Sequence, residues 1–537
     1  MASRSSIVRL GGRGPEVLAA VVLAGLVVYP LGRLLLEAIG DGMFQAVWRE
    51  AVATAAFNSL WSSALAASIA LAVGIGLALL TERFLVRGAS LMRAAVVATL
   101  VVPPFVSALS WQAAYAPFGL LDDWTGISAV WLEGRLGVVT VIAVNTAPLA
   151  YLVVVAALRS SRVPELEWAA RAAGADRSAT LRLVTLPMVK PALAAGWLVG
   201  FAASLSSFGV PVVLGTPAGF ETLTTRVYRA VAFAAFPDAF QEAVIMALLL
   251  AAVALVVVMA GDSRSGRVDW RLQQTASSQP AYRRPAPFSS VAAAWVYLVL
   301  TVGIPSLALV VRALTPSVGV SPAPANWTLD NFATAFDSRT WEAFGRSVLL
   351  GLGAALLALA ASGLLIQVRR TTGRRWDGAA LVMFALPGTS LALGVSLGYG
   401  RWLANTAAII LIAYVAKLLA LAHRPLAASA AGVHRDLLSA ARASGATARR
   451  AIGRIGLPLL RPGLVAGGLL VFLFALHELT ISSLLHGPGN ETLAVVILDY
   501  QQIGDPTVTA ALAVMLAVAV GAAATLLLLA RRGRDRS

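Results

Sequence analysis

Along this chain, runs of about 20 residues with scarcely a charge recur from one end to the other, the length a helix needs to cross a bilayer. They fall near 17–36, 57–81, 94–116, 137–158, 191–215 and 242–260, then near 290–312, 346–366, 378–398, 406–423, 463–485 and 508–530. Backbone buried in hydrocarbon must satisfy each N–H and C=O internally, which leaves helices or closed barrels. No run shows the period-two alternation of barrel strands, so helices are the spanning element. The fold class predicted is all-α: a polytopic membrane protein of about 12 transmembrane helices, six in each of two tandem halves. Only 13% of the residues are charged, against roughly a quarter in soluble proteins.

The net charge of +16 could point to nucleic acid, but its distribution is that of a membrane protein with positive loops on one side. With both termini cytoplasmic, 32 of the 42 Lys and Arg residues lie inside, among them Arg83, Arg87, Arg93 and the segments 159–190 and 424–461. The expected location is the cell's inner membrane, multi-pass, with no nucleic-acid partner. Arg4, Arg9 and Arg13 ahead of the first run imitate a secretory signal, but the run is long and no small-x-small cleavage site follows it.

Residues 262–289, rich in Ser, Gln, Arg and Pro, carry no apolar period and read as a cytoplasmic linker. They divide the chain into a first transmembrane half, 1–261, and a second, 290–537. There is no cysteine, and the four histidines, His423, His434, His477 and His486, are too scattered to suggest a metal site. A phosphate-binding Walker loop ends in Gly-Lys-Ser/Thr. The only lysines are Lys190, followed by Pro191, and Lys417, followed by Leu418, so this chain is not its own ATPase by that route.

The halves repeat each other. Residues 168–193 align with 439–464 at an offset of 271, with ten of 26 positions identical, including Ala169/Ala440, Ala170/Ala441, Gly174/Gly445, Leu186/Leu457 and Pro187/Pro458. Each segment lies in the long inner loop between the fourth and fifth spans of its half. Leu166, Ala169, Ala170 and Ala173, and likewise Leu437, Ala440, Ala441 and Ser444, recur at i, i+3, i+4 and i+7. This predicts a short helix with a narrow face of small residues, which another protein's backbone could approach closely. Glu165 and Asp436 suit the first turn, and Gly174 and Gly445 suit a left-handed helix end. Leu-Pro then interrupts the next segment, and Pro191 and Pro462 suit the first turn of the following span. A second repeat, Gly219-x-Glu221-Thr222-Leu223 against Gly489-x-Glu491-Thr492-Leu493, follows the fifth span of each half.

Small residues before a glycine, with Leu-Pro about ten residues later, resemble the EAA loop of bacterial ABC importer permeases. The six-plus-six arrangement resembles the fused permeases of iron(III) and thiamine importers. The resemblance implies a transport subunit without catalytic residues of its own. Its coupling residues would be Glu165, Leu166, Glu167, Ala169, Ala170, Gly174, Leu186 and Pro187 in the first loop. In the second they would be Asp436, Leu437, Ala440, Ala441, Gly445, Leu457 and Pro458. The implied partners are two copies of a cytoplasmic ATPase subunit, which bind ATP and Mg, and an extracytoplasmic substrate-binding protein; this chain holds no cofactor. Trp168 and Ser439 stand where the family has its naming glutamate, and Glu167 adjoins that position only in the first copy, so the two ATPase contacts are expected to differ.

Polar residues within spans are functional candidates because burying them is costly. Asn145, His477 and Glu478 are assigned to the translocation path, the last two within the eleventh span. Lys417 is expected to snorkel to the interface. Pro103, Pro104 and Pro387 are expected to kink the third span of each half. Residues around 208–228 resemble the iron(III)-type permeases, so ferric iron is the expected substrate, with thiamine, an aminophosphonate or a polyamine as alternatives. A twelve-span secondary transporter would need deep ion-coupling charges, and a membrane enzyme a polar cluster near one interface; the sequence is poor in both.

Overall fold

The computed structural model describes residues 14–39, 49–159, 162–233, 239–265, 284–373, 376–433 and 435–532. The principal helices before the linker are α1 (Gly14–Ala38), α2 (Glu50–Arg83), α3 (Ala89–Ala98), α4 (Pro104–Tyr115), α5 (Leu120–Thr125), α6 (Arg135–Leu158), α7 (Arg162–Ala172), α8 (Thr180–Leu205), α9 (Leu223–Ala232) and α10 (Ala239–Ser265). After it come α11 (Phe288–Leu314), α12 (Ser338–Thr372), α13 (Asp377–Ala385), α14 (Gly388–Leu403), α15 (Ala407–Ala431), α16 (Arg435–Ala443), α17 (Ile452–Leu476), α18 (Thr480–Leu485), α19 (Leu493–Ile503) and α20 (Pro506–Arg532). Most of the linker lies outside the described residues. Its end, Arg284–Pro285, pairs in parallel with Phe84–Leu85 just past α2.

Among the described residues, ten helices are long and apolar enough to cross a bilayer, or 11 if the bent pair α13 and α14 forms one span. The expected 12 differ from this number at the third span of each half, where proline breaks the helix. A residue preceding proline is forced out of the helical region, and Pro103 (ψ 138°) and Leu386 (ψ 134°) are both extended. The first half thus has two short helices, α3 and α4, in place of the run 94–116. In the second, the axis turns by 105° between α13 and α14.

Other prolines are absorbed without a break. Pro30, Pro187, Pro305 and Pro458 each follow a widened π turn: Ala24–Val28, Thr180–Thr185, Val299–Gly303 and Ile452–Gly456. Proline lacks an N–H and its ring collides with the carbonyl four residues back; closing the turn one residue later relieves both. The Leu186 N–H accordingly reaches Leu181 O, and that of Leu457 reaches Ile452 O. The expected interruption at Leu-Pro is therefore corrected: α8 and α17 run through it, and Pro191 and Pro462 lie inside those helices.

The chain forms two compact units. One takes the described residues among Met1–Met43, Asp337–Val496 and Val518–Ser537, and the other those of Phe44–Phe336 and Ile497–Ala517. The units therefore cut the chain differently from the linear division at the linker: α1 joins the second-half helices, and α11 joins the first-half helices. In the former unit α1 packs against α14 and α12; in the latter α11 packs against α4. The same chemistry fastens both. A π turn frees carbonyl groups, and an aromatic side chain from the broken third span takes one: Tyr399 Oη donates to Gly25 O at 2.8 Å, and Tyr115 Oη donates to Leu300 O at 2.5 Å. Within each unit small residues bring helices close. A Cβ on Gly74 of α2 would lie 2.8 Å from Tyr151 N of α6, and one on Gly467 of α17 would lie 2.9 Å from Ala422 O of α15.

Candidate functional site

The repeated inner loops have the same backbone. In the first, Gly174 takes φ 88° and donates to Arg171 O at 3.0 Å, while the Ala175 N–H closes the helix end on Ala170 O at 3.0 Å. In the second, Gly445 takes φ 87°, donates to Arg442 O at 3.0 Å, and Ala446 donates to Ala441 O at 3.0 Å. This is a Schellman ending, in which glycine occupies a left-handed position that a side chain would strain. Two residues on, a cap starts the next turn: Asp176 Oδ1 accepts from Ala179 N at 2.8 Å, and Thr447 Oγ1 accepts from Arg450 N at 3.3 Å. These caps were a readable signal that sequence reasoning passed over.

On α7, Glu165, Leu166, Trp168 and Ala169 are exposed, as is Gly174 beyond the helix. Ala170 is half-buried. Leu166, Ala169 and Ala170 face Leu183, Val184, Pro187 and Met188 across an open groove of about 360 Å³. Leu186 is half-buried at the start of the regular part of α8. In the second loop Leu437, Ala440, Gly445 and Leu457 are exposed and Ala441 is half-buried. Pro458 follows Leu457 at the equivalent junction. The side chain of Asp436 and the whole of His434 lie outside the described residues.

Glu167 differs from its neighbours by pointing inward. Its carboxylate accepts from Arg83 Nε at 3.1 Å and from Thr185 Oγ1 at 2.7 Å, tying α7 to the end of α2 and to the π turn of α8. Beside it, buried Glu82 accepts from Arg159 through Nε at 2.9 Å and Nη2 at 2.8 Å, with Arg93 at 3.3 Å. The hydrogen bond to Glu82 raises the Arg159 guanidinium above its ordinary range, so it stays charged. Sequence reading counted these arginines only as orientation signals. The visible clue was a Glu-Arg pair closing one apolar run and an arginine closing a later one.

At the other end of the helices the Gly-x-Glu-Thr-Leu repeats start α9 and α19. Each is pinned by a serine hydroxyl accepting the leucine N–H: Ser59 from Leu223 at 2.8 Å and Ser347 from Leu493 at 2.9 Å. Asn58 donates to Glu221 O at 2.9 Å, and Arg346 donates to Glu491 O at 2.6 Å. Thr222, Leu223, Thr492 and Leu493 are buried, so only the glycine end of each repeat is open to a partner.

The polar residues assigned to a path belong to different units, Asn145 to one and His477 and Glu478 to the other. Asn145 lies in α6, its buried Nδ2 without a hydrogen-bond partner. His477 and Glu478 follow the end of α17 instead of lying within a span. Glu478 Oε2 caps α18, accepting from Ile481 N at 2.8 Å and Ser482 N at 3.3 Å. Lys417 does not snorkel: its ammonium donates to Leu386 O and, at 2.9 Å, to Phe384 O, carbonyls at the end of the broken helix α13. A polar seam unread in the sequence joins α4, α9 and α19. In it Gln501 Nε2 donates to Gln112 Oε1 at 3.2 Å, Gln112 Nε2 to Glu133 Oε1 at 3.2 Å, and Gln502 Nε2 to Tyr228 Oη at 3.4 Å.

Duplicated helical halves, each with a Schellman-ended inner helix, agree with the comparison to known proteins. Residues 70–264 and 347–534 each match the family described as binding-protein-dependent transport system inner membrane component. The chain belongs to this family. It is the permease, not the enzyme, of an ABC importer, embedded in the membrane as a multi-pass protein. The permease is 26% identical to a probable ABC transporter permease, y4fN, of Sinorhizobium fredii, over 97% of this chain and 95% of the relative. It is 26% identical to the Fe(3+)-transport system permease protein FbpB 2 of Haemophilus influenzae, over 89% and 91%. A probable molybdenum ABC transporter permease of Haloferax volcanii is 34% identical over 38% of this chain and 74% of its own length.

Proposed function

We propose that this permease imports ferric iron delivered by an extracytoplasmic binding protein, and that its inner loops each dock one of two cytoplasmic ATPase subunits, which carry ATP and Mg. Both termini are placed in the cytoplasm on the charge distribution read from sequence. The observation that carries the docking reading is the pair of helices α7 and α16. Each ends on an exposed left-handed glycine and presents small or apolar residues outward, in a family whose importers work with separate ATPases. On the first copy Leu166, Ala169 and Ala170 border a groove wide enough for an apolar side chain of a partner. Closure of the ATPase pair would move each loop with the span it begins, a two-state rigid-body switch. The opposite end, near Gly219 and Gly489, would receive the binding protein.

Ferric iron rests on the iron-transport relative matched over both halves. The molybdenum relative covers 38% of this chain and names the competing outcome. Two measurements on the complex with its own ATPase and binding protein test these readings. Gly174→Trp and Gly445→Trp strain a left-handed residue but meet only open space at an exposed helix end, so they should disturb the loop locally, leave membrane insertion intact and abolish substrate-stimulated ATP hydrolysis; unchanged stimulation would refute docking. Uptake of radioiron, with molybdate as competitor, tests the cargo. Molybdate uptake without iron uptake would overturn the assignment.

A further inference from the structure

We infer that the first half transmits motion from its docking helix through a buried triad, Arg83, Glu167 and Thr185, that the second half has no means of forming, so coupling runs mainly through the first half. This rests on the docking reading above. The Glu167 and Arg83 side chains are only 11% and 12% exposed, and their contact joins α7 directly to α2. Arg83 also donates to Leu158 O at 3.0 Å, so one guanidinium spans the docking helix, α2 and the end of α6. Drawing α7 away from α2 would strand a carboxylate and a guanidinium in a nearly dry place, a costly state, so the helices move together.

The second half can be placed in register with the first. Ser59 and Ser347 receive equivalent N–H groups, which sets an offset of 288 between α2 and α12, and the loops repeat at 271. The positions of Arg83, Glu167 and Thr185 are then occupied by Thr371, Leu438 and Gly456. None of these can form an ion pair. Thr371 spends its hydroxyl on its own helix, donating to Gln367 O at 3.0 Å. The neighbouring cluster is inverted as well: Arg370 stands in the place of Glu82 and Ala430 in that of Arg159. Arg370 reaches the main-chain carbonyls of Ala430 and Val433. That contact secures α12 to the end of α15. The first docking helix is thus fastened by charge to the helix that must move.

The test uses the full chain assembled with its ATPase and binding protein in proteoliposomes, reading the ratio of stimulated to basal ATP hydrolysis. Glu167→Leu, the residue the second half carries, should lower the ratio about five- to tenfold, within the usual span of coupling between sites. The exchanged pair Arg83→Glu with Glu167→Arg should recover most of it, which a merely structural role for Glu167 would not predict. Leu438→Ala should change the ratio by less than about twofold. A Glu167→Leu complex that keeps the wild-type ratio while Gly174→Trp abolishes stimulation would sink the transmission inference and leave docking standing. If Gly174→Trp is also without effect, the docking reading itself fails. Should Glu167→Leu not assemble, the exchanged pair decides: an assembled but uncoupled complex overturns the inference.

Discussion

Two glycines on α2, two residues apart, should respond to alanine with opposite sign. A Cβ on Gly74 would sit 2.8 Å from Tyr151 N and 2.9 Å from the Ala150 Cβ, whereas one on Gly76 meets nothing within 4 Å. Ordinary contact needs roughly 3.5–4.0 Å between carbons. Gly74→Ala therefore requires α2 and α6 to part by several tenths of an ångström, and the obstacle is main chain, which cannot rotate away. Overpacking of this kind costs about 1–3 kcal/mol. Gly76→Ala gains up to about 1 kcal/mol in helix propensity with no collision. The assay is the thermal midpoint of each variant in detergent, followed by the loss of the monodisperse peak of a fluorescent fusion. Gly74→Ala should fall below wild type and Gly76→Ala should equal or exceed it. A Gly74→Ala protein as stable as Gly76→Ala would refute the close approach of α2 and α6.

Lys417→Met should leave the Phe384 and Leu386 carbonyls without their donor, costing about 1–3 kcal/mol, and Lys417→Arg should recover part of it; thermal midpoints compare the three. Tyr115→Phe and Tyr399→Phe each remove one hydrogen bond to a π-turn carbonyl and should each cost about 0.5–1.5 kcal/mol. Similar losses in the two variants would support equivalent roles, while stability equal to wild type in both would argue against the bonds. Ser59→Ala and Ser347→Ala should destabilise by about 1–3 kcal/mol, because each orphans a buried N–H at a helix start; accelerated hydrogen exchange at Leu223 and Leu493 is the local readout. Arg159 is held charged by Glu82, with its folded pKa above the unfolded one, so its contribution is fully present below the unfolded value and lost only as pH rises through the folded one. The contribution of Arg159 should thus stay flat between about pH 6 and 9, and Arg159→Gln should lower stability equally across that window.

The spans were legible because hydrocarbon forbids unpaired backbone, and long apolar runs write that requirement plainly in sequence. The loops were legible where backbone demands a particular residue: Gly174 and Gly445 take left-handed angles that the spacing predicts. Proline was read less well, since the same residue gives opposite results. Pro104 and Pro387 break the third spans, while Pro187 and Pro458 sit in continuous helices behind a π turn. What decides is whether the preceding turn can widen and find donors for its freed carbonyls, and that depends on a side chain distant in sequence, as with Tyr399 and Gly25. Lys417, Glu478 and the Glu167 contacts were misread or missed for the same reason, their partners being set by packing.

The two halves also show which features a duplicated fold holds fixed. Where geometry restricts the main chain, the same residue stands in both copies, as with the glycine after the docking helix and the proline behind the π turn. Where a requirement concerns only a hydrogen-bond donor or a charge, chemistry has drifted while function at that point is kept: Asn58 and Arg346 reach the same carbonyl, and the Glu82 contact with Arg159 becomes an arginine on main-chain oxygens. The Glu167 triad goes further, since Thr371, Leu438 and Gly456 at its second-half positions cannot rebuild an ion pair among themselves. A difference of that kind is not neutral drift in a contact but a change in what moves with what. Separate docking faults at Gly174 and Gly445 should therefore be unequal in effect, with the first reducing stimulated hydrolysis more at any level of partial docking, and equal losses would return the two halves to mechanical parity.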